Sequence, residues 1–265
     1  MNLSIVNSVE TFPLGEKFKL SVGPLTFRNN VQQRFGKPGG RPMGDGNVSS
    51  RTASLKYHHV KPEDANADAE YVADLNRLAG LFRPDRAPFY IYDSTLSRRM
   101  QIVLDRMDDD NQDGLERRIA ENNGMSFTVL DGFWEDSEEQ IAASPTGGIE
   151  SGEAITVDND CDFFVSPFIR VIALNANQFF TLRNDTTGDQ ITISSASFVE
   201  GTEYEIDCRD GSIYLFDGFT RAENSFSMAD GSGFPSFAPG INSIVYESTY
   251  GPAMIEMIYR RRYAF

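Results

Sequence analysis

Apolar and polar residues alternate through most of this 265-residue chain, and that period of two limits the fold more than any other feature. In the second half the segments AITVD (154–158), FIRVIALN (168–175), QFFTLRN (178–184), QITISS (190–195), EYEIDC (203–208), SIYLFDG (212–218), INSIVYES (241–248) and AMIEMIYRRRY (253–263) all read as strands. Turn-forming strings such as NDTTGD (184–189) and RDG (209–211) separate them. Eight candidate strands at near-even spacing predict a β-sandwich of two packed sheets.

The first half reads the same way at 17–23, 25–31, 51–60, 88–93, 99–107, 115–121 and 125–134. Between the second and third of these lies FGKPGGRPMGDGNVSS (35–50), whose five Gly and two Pro predict a long exposed loop or hairpin tip. Lys37 is followed by Pro38, so this string is not a phosphate-cradling loop, which would continue G-K-[ST] into a helix. The period changes once. At 62–82 the residues Tyr71, Leu75, Leu78 and Phe82 recur at helical spacing behind Pro62, Glu63, Asp64 and Asp68, which suit a helix N-terminus. The expected fold is therefore mainly β with one α-helix.

Charge divides the chain. Residues 1–136 hold 17 Lys+Arg against 20 Asp+Glu, whereas 137–265 hold 7 against 19, and no lysine follows Lys61. The acidic, small-residue string EDSEEQIAASPTGGIESGE (135–153) reads as a connector. The expected domains are 1–136, a connector at 137–153, and a sandwich at 154–265. A net charge of −15 argues against a nucleic-acid-binding surface and against an anionic membrane partner. No stretch approaches the roughly 18 apolar residues of a membrane span, so a soluble protein is expected. Cys161 and Cys208 lack metal or redox spacing and are expected to be free thiols of a reducing compartment.

Chemical motifs are sparse. Asp109, Asn111, Asp113 and Gly114 open a calcium-loop pattern, but position 12 is Ala120 instead of the closing glutamate, and strands, not helices, flank the string. A polar turn with at most weak cation binding is expected there. His58 and His59, the chain's two histidines, are adjacent in a candidate strand and point to opposite faces, which defeats a serine triad or a two-histidine metal site. No catalytic, cofactor-binding or metal residue is expected. Carboxylates are plentiful enough for a glycoside hydrolase, yet no pair stands out. Trp134, Tyr204 and Tyr214 are the residues that a carbohydrate-binding sandwich, recognising host-surface glycans, would use for stacking.

The order of features carries more. A strand-rich first domain with one helix, then DGFW (131–134), an acidic connector, TLRNDTTGDQITI (181–193), IDCRDGSIYLFDG (206–218), FAPGINSIVYES (237–248) and IEMIYRRRY (255–263) together resemble the distal tail proteins of siphophages. The resemblance spans nearly the whole chain. It implies a belt domain, barrel- or sandwich-like, followed by a galectin-like β-sandwich, in a structural protein without enzymatic activity. It further implies a homohexameric ring at the tail tip or baseplate, joining the tail tube protein to the tail hub protein, with the tape-measure protein as a further neighbour. Viral DNA would pass through without specific binding, and assembly would occur in the host cytoplasm. The length of the 35–50 loop and Gly132 before Phe133 depart from the family's pattern.

Overall fold

The computed structural model describes residues 2–15, 18–23, 31–33, 40–42, 51–57, 67–107, 124–130, 132–175, 179–194, 199–216, 221–222, 227–229, 231–249 and 251–263. The chain forms two compact units, Met1–Ser137 with Ala264–Phe265, and Glu138–Tyr263.

The first unit contains β1 (Leu3–Val6), β2 (Thr11–Pro13), β3 (Phe18–Val22), β4 (Val31–Gln33), β5 (Gly40–Pro42), β6 (Arg51–Tyr57), α1 (Ala67–Leu81), β7 (Phe89–Asp93), β8 (Arg98–Met107), β9 (Gly124–Val129) and β10 (Trp134–Asp136). One antiparallel sheet runs β2-β1-β7-β8-β9-β6-β3, with β10 added along β8, while β4 and β5 pair with each other. The two ends of the path meet. The Phe12 ring of β2 stands edge-on to Phe18 of β3 with centroids 5.9 Å apart, so the sheet curls on itself and is closed there by aromatic packing.

Alternation explains what lies inside the curl. Ile5, Ala53, Leu55, Ile91, Met100, Ile102, Met125, Phe127 and Val129 face inward and are buried, and Leu78 and Leu81 of α1 join them. Phe82, just after the helix, sits between Phe89 and Phe127 at 5.2 and 5.4 Å. Asn7 ties the β1–β2 turn to the helix. Its amide donates to the Leu81 carbonyl at 3.0 Å, and its Oδ1 accepts from the backbone of Val9 and Glu10, both at 2.8 Å. The helix expected at 62–82 is thus observed as α1 with Leu78 in the core; the side chains of Tyr71 and Leu75 lie outside the described residues, as do the strand expected at 115–121 and, but for Val31, the one expected at 25–31.

The second unit contains β11 (Gln140–Ala143), β12 (Ala154–Asn159), β13 (Phe168–Ala173), β14 (Phe179–Asn184), β15 (Gln190–Ser194), β16 (Glu203–Asp207), β17 (Ser212–Phe216), β18 (Arg221–Ala222), β19 (Ser227–Met228), β20 (Gly240–Ser248), β21 (Ala253–Tyr259) and β22 (Arg262–Tyr263). One sheet runs β11-β21-β13-β16-β17-β18 and the other β12-β20-β14-β15-β19. Their inward residues form one core that includes Val157, Ile169, Val171, Phe180, Leu182, Ile191, Ile193, Tyr204, Ile206, Phe237, Tyr246, Ile255 and Met257. This is the two-sheet sandwich that the strand spacing predicts.

One boundary needs correcting. The stretch 137–153, read as a connector, belongs to the second unit: Gln140–Ala143 pairs antiparallel with Tyr259–Glu256, and Ile149 is buried and bridged to Ala253. At Gly148 space is short. A Cβ added to Gly148, whose φ is +89°, would lie 2.5 Å from Leu174 Cδ1 and 3.0 Å from the Ala253 carbonyl oxygen.

Candidate functional site

The most built polar region of the molecule is at one end of the second unit's sandwich, where three fully buried asparagines lock three loops together. Asn159, Asn184 and Asn242 come from the end of β12, the end of β14 and the start of β20. Asn159 donates to the carbonyls of Phe163, Phe237 and Ala238 at 3.1, 3.0 and 3.1 Å. Asn242 accepts from the Ala238 N–H at 2.9 Å and donates to the carbonyls of Ala238 and Gly240 at 2.7 and 3.0 Å. Asn184 donates to the Ser236 carbonyl at 2.6 Å and to Asn242 Oδ1 at 3.1 Å, and accepts from the Thr186 N–H at 3.0 Å. Burying an amide is costly unless it is hydrogen-bonded, and here the bonds go to loop backbone that the sheets leave unpaired. The cluster fixes the NDTTGD and FAPGIN turns.

Several charged side chains on the outer surfaces are paired. On the β13–β16–β21 face Arg170 reaches Glu203 at 3.2 Å and Glu256 at 3.3 Å. On the other sheet Arg183 is bonded to Asp185 at 2.6 Å and to Glu247 at 2.7 Å, and these contacts, the Asp185 hydrogen bond first, raise its pKa. At the RDG turn the Arg209 hydrogen bond holds Asp207 below its ordinary carboxylate value. Arg51 is a buried cation of the first unit, and desolvation lowers its pKa.

Both cysteines are free thiols. Burial, reinforced by the neighbouring Asp207 charge, pushes the Cys208 thiol up and disfavours its thiolate. Cys161 lies 2.9 Å from Asn159 Oδ1 and 3.2 Å from the Phe163 carbonyl, inside the asparagine cluster. Among the described residues no group of three or more His, Cys, Asp or Glu could hold a metal ion. His58, His59 and the 109–114 string lie outside the described residues.

The three aromatics considered for sugar stacking have separate surroundings. Tyr204 is wholly buried, its ring against Phe180 at 5.5 Å, so it serves the core. Trp134 packs against the first unit's core, and Tyr214 stands half-buried on β17. Sequence reasoning missed the asparagine cluster altogether. Its only trace is that each asparagine sits at a strand end beside a turn.

Among curated proteins none matches the sequence. Residues 160–263 match the family model for the siphovirus-type tail component, C-terminal domain. The second unit is thus similar to the C-terminal domain of siphovirus-type tail components. Structures agree at the level of fold. The crystal structure of the Dit protein of phage SPP1, described as a paradigm of the hub adsorption apparatus in phages infecting Gram-positive bacteria, matches with a TM-score of 0.59 and 10% identity over 99% of both chains. The phage P2 baseplate in its activated conformation with calcium matches at 0.45 and 11%, and with strontium at 0.45 and 13%, each over 100% of this chain and 99% of the other. The family match and the fold likeness point the same way, toward structural components of phage tails.

Proposed function

We propose that this tail component is a ring-forming adaptor. Six copies close through their first units into a ring that continues the tail tube on one side, receives the tail hub on the other, and leaves a passage for DNA. The observation that carries this reading is the family match over 160–263 combined with a fold likeness to SPP1 Dit that spans both units. Supporting it, the first unit is close to neutral whereas the second is strongly acidic, so copies packed side by side through the first unit meet little like charge. A closed ring uses heterologous contacts, two different patches per copy, and each contact needs about 1,000 Å² or more of total buried area. The overall charge of −15 disfavours binding to the phosphates of passing DNA.

Negative-stain imaging and native mass spectrometry of the full chain test this. Six-fold rings are expected, formed at high protein concentration or on addition of the tube and hub proteins. A chain that remains monomeric in both circumstances contradicts the adaptor.

A further inference from the structure

The strand register places an unusual set of side chains on the outer surface of the first unit. Along β3 and β6, Lys19 lies directly opposite Lys56. One row on, Ser21 faces Ser54, and Ser54 faces Ser126 of β9. In the next row Thr52 faces Thr128, and Thr128 faces Val103 of β8. Leu130 follows at the end of β9, where its N–H reaches the Gln101 carbonyl at 3.1 Å. The residues between these, Leu20, Ala53, Leu55, Met125, Phe127, Val129 and Ile102, belong to or pack on the core, so the rows share the outward face. Lys19, Ser21, Thr52 and Lys56 are exposed, as are Val103 and Leu130, each at 44%.

Polar outward residues on a half-buried sheet are ordinary. Two features here are not. Like charges directly opposite on one face destabilise a strand pair. Val103 and Leu130, diagonal neighbours across β8 and β9, leave an apolar pair in water at the other end of the same face. Among the described outward residues of these four strands the one carboxylate is Asp105, and it accepts from Thr128 Oγ1 at 2.9 and 2.8 Å, at the apolar end. Between the two ends, on β3, β6 and β9, the side chains are short hydroxyls, which both donate and accept and let a second backbone come close.

We propose that this face is one of the two patches of the subunit contact, and that its occupant is an acidic surface of a second copy of this chain. The inference rests on the ring reading and deepens it. Charge complementarity selects the occupant: the lysine pair is best met by carboxylates, and the first unit of a second copy, with 20 Asp+Glu against 17 Lys+Arg over 1–136, supplies them. The hydroxyl rows form the flat centre, and Val103 with Leu130 forms the dry margin.

The test compares the full-length wild type with Lys19→Glu/Lys56→Glu, the neutral Lys19→Gln/Lys56→Gln, the conservative Lys19→Arg/Lys56→Arg, and Val103→Ser/Leu130→Ser. Native mass spectrometry reads ring formation, and circular dichroism checks folding. The charge-reversed and serine variants should each need at least tenfold more protein to form rings, the arginine variant should match the wild type, and rising salt should weaken wild-type rings. If charge reversal prevents folding, the glutamine variant carries the same comparison. Carbodiimide coupling of mixed light and heavy-isotope chains adds a direct readout, with Lys19 or Lys56 expected to link to an Asp or Glu of the other isotope. Rings that form equally well in the glutamate or glutamine variant overturn this surface and leave the ring standing. Links confined within one chain overturn it too, because the lysines are then served internally. A lysine-dependent shift of double-stranded DNA assigns the face to a polyanion and overturns it as well. A wild type that never forms rings removes the adaptor reading and this surface with it.

Discussion

The two units solve the same problem of a β-fold's leftover polar groups in opposite ways. The second unit turns its difficult groups inward: three buried asparagines take up loop carbonyls and N–H groups between two packed sheets. The first unit is one curled sheet capped by a helix, and it turns unfavourable features outward, as a lysine pair and an exposed apolar pair on one face. The contrast lies in the buried amides and the like-charged strand pair, not in exposed apolar area, since Ile141 and Ile241 of the second unit are 61% and 60% exposed. On the ring reading proposed above, a lysine pair left on the surface is a cost for neighbours to complete, which gives stability to one unit and assembly to the other.

The most severe way to break that comparison is to hollow out each core in turn. Phe127 and Phe237 are both fully buried, one per unit, and Phe→Ala at either should cost about 3–5 kcal/mol. Denaturant unfolding of the full chain measures it. The comparison predicts that Phe127→Ala also abolishes rings, whereas Phe237→Ala leaves rings from the folded fraction. Loss of rings from both variants to the same degree would erase the division of labour.

A narrower cut is Asn242→Ala. It removes an acceptor from the Ala238 N–H and from the Asn184 amide, and a donor to the Ala238 and Gly240 carbonyls. Each buried group left unsatisfied costs roughly 1–3 kcal/mol, although water entering the space would offset part of it. The expected result is a clear fall in stability with faster hydrogen exchange across 184–189 and 236–242, and rings unchanged. An unaltered denaturation midpoint would mean that the cluster does not hold this end of the sandwich.

Smaller again is Gly148→Ala. Both the positive φ and the contacts with Leu174 and Ala253 oppose a Cβ, and a residue held in that region costs of order 1–3 kcal/mol before the contacts relax. Stability should fall measurably. If it does not, the 145–149 segment is not packed against β21 and would again deserve to be described as a connector.

That segment also shows what the sequence could and could not convey. Strands β13, β14, β16 and β17 start within a residue of where alternation places them, because each sends alternate apolar residues into the core. β11 escaped notice because its four residues, QIAA, sit in a run of acidic and small residues, and what makes them a strand is the backbone of β21. β1 and β2 are too short for a period to be read. The site-level features were illegible for a different reason. Asn159 and Phe237 are 78 residues apart, and the Lys19–Lys56 pair exists only once the register of β3 on β6 is known. Residue types were in plain view; adjacency was not.

The smallest effect concerns pH and asks whether the second unit depends on its surface at all. Asp207 accepts from the Arg209 side chain at 2.9 and 2.6 Å and from the Arg209 N–H at 3.0 Å, and the side-chain bond is the main reason its pKa is lowered. A carboxylate whose folded pKa is depressed contributes stability above its unfolded value, near 3.9, and loses it as pH falls through the folded value. Arg209 is 60% exposed, so solvent screens the pair, and a contribution below about 1 kcal/mol is expected. Arg209→Ala should therefore leave stability at pH 7 within that margin and flatten the decline on acidification below about pH 4. Urea midpoints measured from pH 7 down to pH 3 on wild type and variant decide it. A loss well above 1 kcal/mol at neutral pH would place the second unit's stability in its surface turns instead of its interior, and the contrast with the first unit would fail.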